Sequence, residues 1–135
     1  MIKVLQINTN RSRPAHDMAL ATAKEMGAKI LVVSEPNRSA IRNRKDWIYD
    51  SEIDVALTIL DSNIAVKRQG SGQGFSYVTT TQFTIFGCYC SPNRDITDLE
   101  LTLEEIGIHM EFKERIIIVG DFNAKSPQWG MNTRR

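Results

Sequence analysis

The sequence predicts a layered α/β domain built on a mixed sheet. Strand-like and helix-like segments alternate along the chain, the order a layered α/β domain needs. The runs Ile30-Leu31-Val32-Val33 and Ile116-Ile117-Ile118-Val119 are apolar at every position, as strands buried on both faces are. Residues 12–26 and 97–112 carry apolar side chains at helical spacing between strand-like stretches.

The elements follow in order. Residues 2–8 read as a short strand that begins almost at once. Ser12-Arg13-Pro14 opens a helix, because proline in the first turn has no N–H to lose. Ala15, Met18, Ala19, Thr22, Ala23 and Met26 form its expected apolar side, and Gly27 is its expected stop. The first apolar run ends at Ser34-Glu35-Pro36-Asn37, where Pro36 blocks easy continuation. Residues 38–45 are basic and polar, with Arg38, Arg42, Arg44 and Lys45, and read as a loop or a short helix. Strand-like runs follow at residues 47–49, 53–60, 64–66, 75–81 and 83–90. Gly70-Ser71-Gly72-Gln73-Gly74 lacks the helix and lysine of a phosphate-cradling loop and reads as a flexible turn. In the second helix Leu99, Leu103, Ile106 and Met110 share a face, with Glu100, Glu104, Glu105 and Glu111 around the rest. The second apolar run closes the pattern at Gly120-Asp121-Phe122-Asn123.

With 135 residues, 41% hydrophobic and 24% charged, the composition is that of one ordinary globular domain. A net charge of +1 excludes gripping nucleic acid by bulk charge, so any such contact must be local. No apolar run approaches the roughly 20 residues of a membrane span, so no membrane role is expected. The N-terminus lacks the pattern of a secretory signal. Cys88 and Cys90 make neither a disulfide scaffold nor a zinc site, which fits an intracellular setting.

Polar residues collect at strand ends: Asn8 after the first strand, Glu35 after the second, Asp121 and Asn123 after the last. A rigid sheet aims such side chains, from distant segments, at one point. Each also reads as an ordinary turn former. Together they would make a hard, oxygen-rich pocket suited to Mg²⁺ or Mn²⁺, which usually shares its shell with a phosphate.

The stretch from Gly120 to Gly130, GDFNAKSPQWG, resembles the corresponding segment of the endonuclease domains of non-LTR retrotransposon proteins. Those domains belong to the endonuclease/exonuclease/phosphatase superfamily. Gln6-Ile7-Asn8 with Asn10-Arg11, Val33-Ser34-Glu35-Pro36-Asn37-Arg38, and Tyr89-Cys90-Ser91-Pro92-Asn93 resemble three earlier motifs of that family, in its order. The resemblance implies a DNase I-like α/β sandwich, with residues 1–135 as its N-terminal part. It implies a Mg²⁺- or Mn²⁺-dependent DNA-nicking endonuclease whose nick primes reverse transcription. Glu35 and Asn8 would place the metal, Asp121 would orient or deprotonate water, and Asn123 would hold Asp121 or a phosphate oxygen. Asn93 would contact a DNA phosphate, and Asn10, Arg11, Asn37 and Arg38, with Arg42 or Arg44, would line the substrate side. The family tyrosine aligns with Cys90, one residue from Tyr89: either a bulge brings Tyr89, taken as the site residue, inward, or the role is filled otherwise. DNA, a reverse transcriptase domain in the parent protein and a nuclear setting are the implied surroundings.

The family's later Asp or Asn pair and its Ser-Asp-His motif have no counterpart up to Arg135. His16 and His109 fall within the helices and are expected at the surface. The 135-residue chain alone is therefore expected to be weakly active or inactive. The competing readings are a non-catalytic, nucleic-acid-binding remnant and a phosphatase of the same superfamily.

Overall fold

A computed structural model describes residues 2–90, 96–109 and 115–122. The element order is β1 (Val4–Asn8), α1 (Arg13–Met26), β2 (Ile30–Ser34), α2 (Arg38–Ile41), β3 (Ile48–Tyr49), β4 (Val55–Ile59), β5 (Val66–Gly72), β6 (Phe75–Thr80), β7 (Thr84–Cys90), α3 (Ile96–His109) and β8 (Ile116–Phe122). The strands form two four-stranded sheets, ordered β1-β2-β4-β3 and β5-β6-β7-β8. Each sheet is mixed: β1 runs parallel to β2 and β7 parallel to β8, and the other pairs are antiparallel.

Period-two alternation sorts the side chains into three layers. Ile30, Val32, Val55 and Leu57 of the first sheet meet Val78, Phe83 and Ile85 of the second, and Ile117 and Val119 join them. Leu31, Val33 and Ala56 face the other way, under Ala19 and Ala23 of α1. Phe75, Phe86 and Cys88 pack beneath Ile106 of α3. The result is a helix–sheet–sheet–helix sandwich with two mixed sheets instead of the one read from the alternation of elements, as the family resemblance implies. Gly87 faces the other sheet across a close approach: a Cβ there would stand 2.9 Å from Val32 Cγ1.

The helix signals behave as read. Ser12 caps α1, its Oγ accepting from Ala15 N at 3.1 Å, and Gly27 ends it in the left-handed region at φ 74°. Several faces differ from expectation. On α1, Met18 and Met26 are 67% and 45% exposed, and His16 is buried at 4% instead of lying at the surface. Trp47, 5.4 Å away between ring centroids, covers the imidazole, and the small alanines let the helix sit low on the sheet. Burial pulls the His16 pKa below its ordinary value. On α3, Ile106 is fully buried while Leu103 is 41% exposed. Ile118 of β8 is 42% exposed, so this strand is not buried on both faces as its composition suggests.

The glycine-rich stretch is also corrected. β5 runs through Gly70 and Gly72, and only Gln73-Gly74 turns. The rings of Tyr77 and Phe75 lie over Gly70 and Gly72, where a Cβ would collide, so strand pairing overrides the turn signal. Residues 38–45 open with the short helix α2, capped by Asn37. His109 ends α3, and Met110 and Glu111 lie outside the described residues.

Candidate functional site

The site lies where β1, β2, β7 and β8 end. Parallel pairing of β1 with β2 sets Asn8 beside Ser34, one residue before Glu35. Parallel pairing of β7 with β8 sets Tyr89 beside Asp121. Parallel strands share an end, so these pairings collect side chains from both halves of the chain at one rim.

Two hydrogen bonds tie the site together. Tyr89 donates its hydroxyl to Glu35 Oε2 at 2.7 Å, and Asn8 Nδ2 donates to Asp121 Oδ2 at 2.8 Å. Both bonds cross from one sheet to the other. Asn8 Oδ1 in turn accepts from Asn10 N at 2.8 Å. Tyr89 belongs to the inter-sheet layer, while Cys88 faces α3. No bulge is involved: β6 and β7 pair without a register shift, and alternation alone turns Tyr89 inward. Burial first, then the Glu35 hydrogen bond and the negative charges of Glu35, Asp121 and Asp54, push the Tyr89 phenol well above its ordinary pKa. It is a neutral donor at physiological pH. Burial pushes the Cys88 thiol up to about 12, which makes it inert.

Glu35 sits in a left-handed conformation, φ 49°. Its N–H donates to Asp54 O at 2.9 Å, and its carbonyl accepts from Arg11 N at 2.7 Å and from Thr9 Oγ1 at 3.0 Å. Arg11 NH2 pairs with Asp54 Oδ1 at 2.7 Å, and its NH1 donates to Pro36 O at 3.2 Å and to Ile53 O. Asn37 Nδ2 donates to Arg11 O at 2.8 Å, while its Oδ1 caps α2 through Ala40 N at 3.1 Å. Arg38 Nε donates to Glu52 O at 2.9 Å, and its NH2 stands 3.5 Å from Asp54 Oδ1.

Of the residues expected on the substrate side, Asn10 and Arg38 are thus exposed at the rim. Arg11 and Asn37 direct their polar groups at the protein itself. Arg42 is exposed, and Arg44 is held by Asp46 at 3.0 and 2.8 Å. Asn93 and Asn123 lie outside the described residues. Sequence reasoning missed two acids. Asp54 organises the Glu35 loop, and Asp50, 1% exposed, accepts from Asp54 N at 2.8 Å and from Val55 N at 3.0 Å. The only sequence signal for either was an acid at the mouth of an apolar strand.

The donor set of Glu35, Asp121 and Asn8 is all hard oxygen apart from the Asn8 amide nitrogen, which fits Mg²⁺ or Mn²⁺. Among the described residues no three His, Cys, Asp or Glu side chains gather closely enough to hold a metal by themselves. No helix among the described residues is long and apolar enough to cross a membrane.

Comparison with known proteins gives the same direction as the motifs. Residues 83–135 match the family model described as endonuclease-reverse transcriptase. The chain superposes on the endonuclease domain of TRAS1, a telomere-specific non-LTR retrotransposon, with TM-score 0.75 and 24% identity, over 96% of this chain and 63% of that one. An AP endonuclease from Archaeoglobus fulgidus matches with TM-score 0.66 and 16% identity, over 90% and 57% of the two chains. D. rerio TDP2 complexed with a single strand DNA product matches with TM-score 0.57 and 10% identity, over 93% and 62%. No curated protein sequence matches the chain. The resemblance read from the motifs is therefore found again in both fold and family model, and the fold is the DNase I-like sandwich. The chain spans less than two thirds of the length of these structures.

Proposed function

We propose that residues 1–135 form the N-terminal part of a metal-dependent phosphodiesterase domain that nicks DNA, of the kind carried by non-LTR retrotransposon proteins. The observation that carries the proposal is the meeting of Asn8, Glu35, Tyr89 and Asp121 through two short hydrogen bonds between the sheets. Nothing in packing alone requires two carboxylates, an amide and a phenol at one rim.

In-line attack on a phosphodiester needs an aligned water and neutralised charge on the phosphate oxygens. Glu35 and Asn8 would hold Mg²⁺ or Mn²⁺, which when bound supplies the positive charge for those oxygens. Asn8 fixes one oxygen of Asp121, so the carboxylate is aimed to orient the attacking water and take its proton. Tyr89, kept protonated, holds Glu35 with a fixed donor. Asn10 and Arg38 line the rim where a DNA backbone would pass, and by the family resemblance Asn93 and Asn123 would contact phosphate. The name of the matching family model supports a reverse transcriptase domain in the same protein, and a nuclear setting follows from the retrotransposon reading alone.

The test is nicking of supercoiled plasmid by the 135-residue chain with Mg²⁺, with EDTA, and with Asp121→Ala. Weak metal-dependent nicking that the substitution abolishes is the expected result, since the family's Ser-Asp-His motif has no counterpart up to Arg135. DNA binding without nicking at any metal concentration would instead make the chain a binding module.

A further inference from the structure

Left-handed backbone at a residue other than glycine is costly, and it gathers where function requires it. Five such residues occur among the described ones, and four of them, Asn10, Arg11, Glu35 and Ile53, lie in three loops that meet at Glu35. Ile53 is the least expected, since a β-branched side chain fits that region poorly. Strain of this kind persists only if the surroundings over-determine it.

The over-determination is visible and converges on one guanidinium. Arg11 reaches the carbonyl of Pro36, the carbonyl of Ile53 and the carboxylate of Asp54. Its own backbone N–H holds Glu35 O, and Asn37 holds its carbonyl. The loop after β1, the loop after β2 and the loop before β4 are therefore joined through one side chain. The planar fork is what makes this possible: a lysine offers one point of charge where Arg11 offers separated donors in a fixed plane. Asp54 is anchored from behind by Asp50, which accepts its N–H at 2.8 Å.

We infer that Arg11, paired with Asp54, is a positioning residue that sets the direction of the Glu35 carboxylate toward Tyr89 and toward a divalent cation. The inference rests on the metal-binding reading of Glu35 given above, and it gives Arg11 a task other than contact with a DNA phosphate. Groups that orient a metal ligand are commonly worth about 10- to 100-fold in metal affinity.

Two readouts test it on the 135-residue chain, and one of them needs no metal. The first is Mn²⁺ affinity, read from the electron-spin resonance of free Mn²⁺. The second is the ¹⁹F resonance of Tyr89 in protein labelled with 3-fluorotyrosine, assigned with Tyr89→Phe; it reports whether the Glu35 carboxylate still meets the phenol. Arg11→Lys and Asp54→Asn are each expected to weaken Mn²⁺ binding by about 10-fold or more and to move the Tyr89 resonance toward its position in Glu35→Gln. Applied together they should cost little more than either alone, because they break one unit. Arg13→Ala, on the exposed side of α1, should change neither readout.

If both substitutions leave the Tyr89 resonance and the Mn²⁺ affinity unchanged while Glu35→Gln abolishes binding, the positioning role is overturned and the metal reading stands. If the unsubstituted chain binds no Mn²⁺, the metal reading fails and the inference falls with it. If Asp54→Asn does not fold, Arg11→Lys decides by itself, since it retains the charge and removes only the fork.

Discussion

Asn8 and Asp121 stand 113 residues apart in sequence and 2.8 Å apart in space, amide nitrogen to carboxylate oxygen. The bond joins β1 of one sheet to β8 of the other and fixes which oxygen of Asp121 is occupied.

Replacing Asn8 by Asp removes the donor and sets two carboxyl groups against each other. Asn8→Asp is expected to lower unfolding free energy at pH 7 by about 1–3 kcal/mol. Part of the loss should return at pH 5, where one carboxyl of such a pair takes a proton. Urea unfolding at the two pH values checks this; equal losses at both would mean that the charges do not meet.

Tyr89→Phe retains the ring between the sheets and removes one hydroxyl. The expected loss of stability is about 1–2 kcal/mol, and the expected loss of the chain's weak plasmid nicking is about 10- to 100-fold. Cys90→Ala, one residue along and turned to the other side of β7, should leave nicking unchanged. The reverse ranking would give the site role to Cys90.

The helix starts, the buried strand β2 and the polar strand ends are all legible in the sequence, because each rests on a local rule. Ser12 and Pro14 mark a cap, and Gly27 marks a stop. The facing of Tyr89 is not legible. Residues 83–88 and Cys90 are all buried around it, so apolar alternation carries no information about which side points inward. His16 misleads for a related reason. Among alanines, a helix has too little contrast to show which face is covered, and the covering residue, Trp47, is far away in sequence. Asp54 is missed because its importance lies in backbone bonds to Glu35 and Arg11's guanidinium, and neither leaves a composition signal.

Gly87 is required by the spacing of the two sheets. Gly87→Ala places a methyl 2.9 Å from Val32 and 3.3 Å from Val55, so one sheet must yield. A destabilisation of about 1–3 kcal/mol is expected by thermal or urea unfolding. A neutral result would show that the inter-sheet layer is looser than its packing implies.

His16 predicts how stability responds to acid. Its folded pKa lies below the value of about 6.5 that it has in an unfolded chain. Below pH 6.5 the unfolded chain takes up a proton that the buried imidazole refuses, so stability falls as pH drops from there toward the folded value. The largest slope one such group can give is about 1.4 kcal/mol per pH unit. Urea midpoints of the natural chain should fall between pH 7.5 and 5.5, and those of His16→Leu should fall less. Parallel curves would assign the acid response elsewhere.

The topology also sets an order in time. Strands β5, β6 and β7 are consecutive antiparallel neighbours, so their pairing needs only short loops to close. The Tyr89–Glu35 bond closes a loop of 54 residues, and the Asn8–Asp121 bond closes one of 113. Loop closure becomes costlier with length, though slowly. A nascent chain can therefore bring Tyr89 to Glu35 before Asp121 has left the ribosome. Asp121 is the last of the four side chains to be synthesised, so the Asn8–Asp121 bond is the later of the two to close.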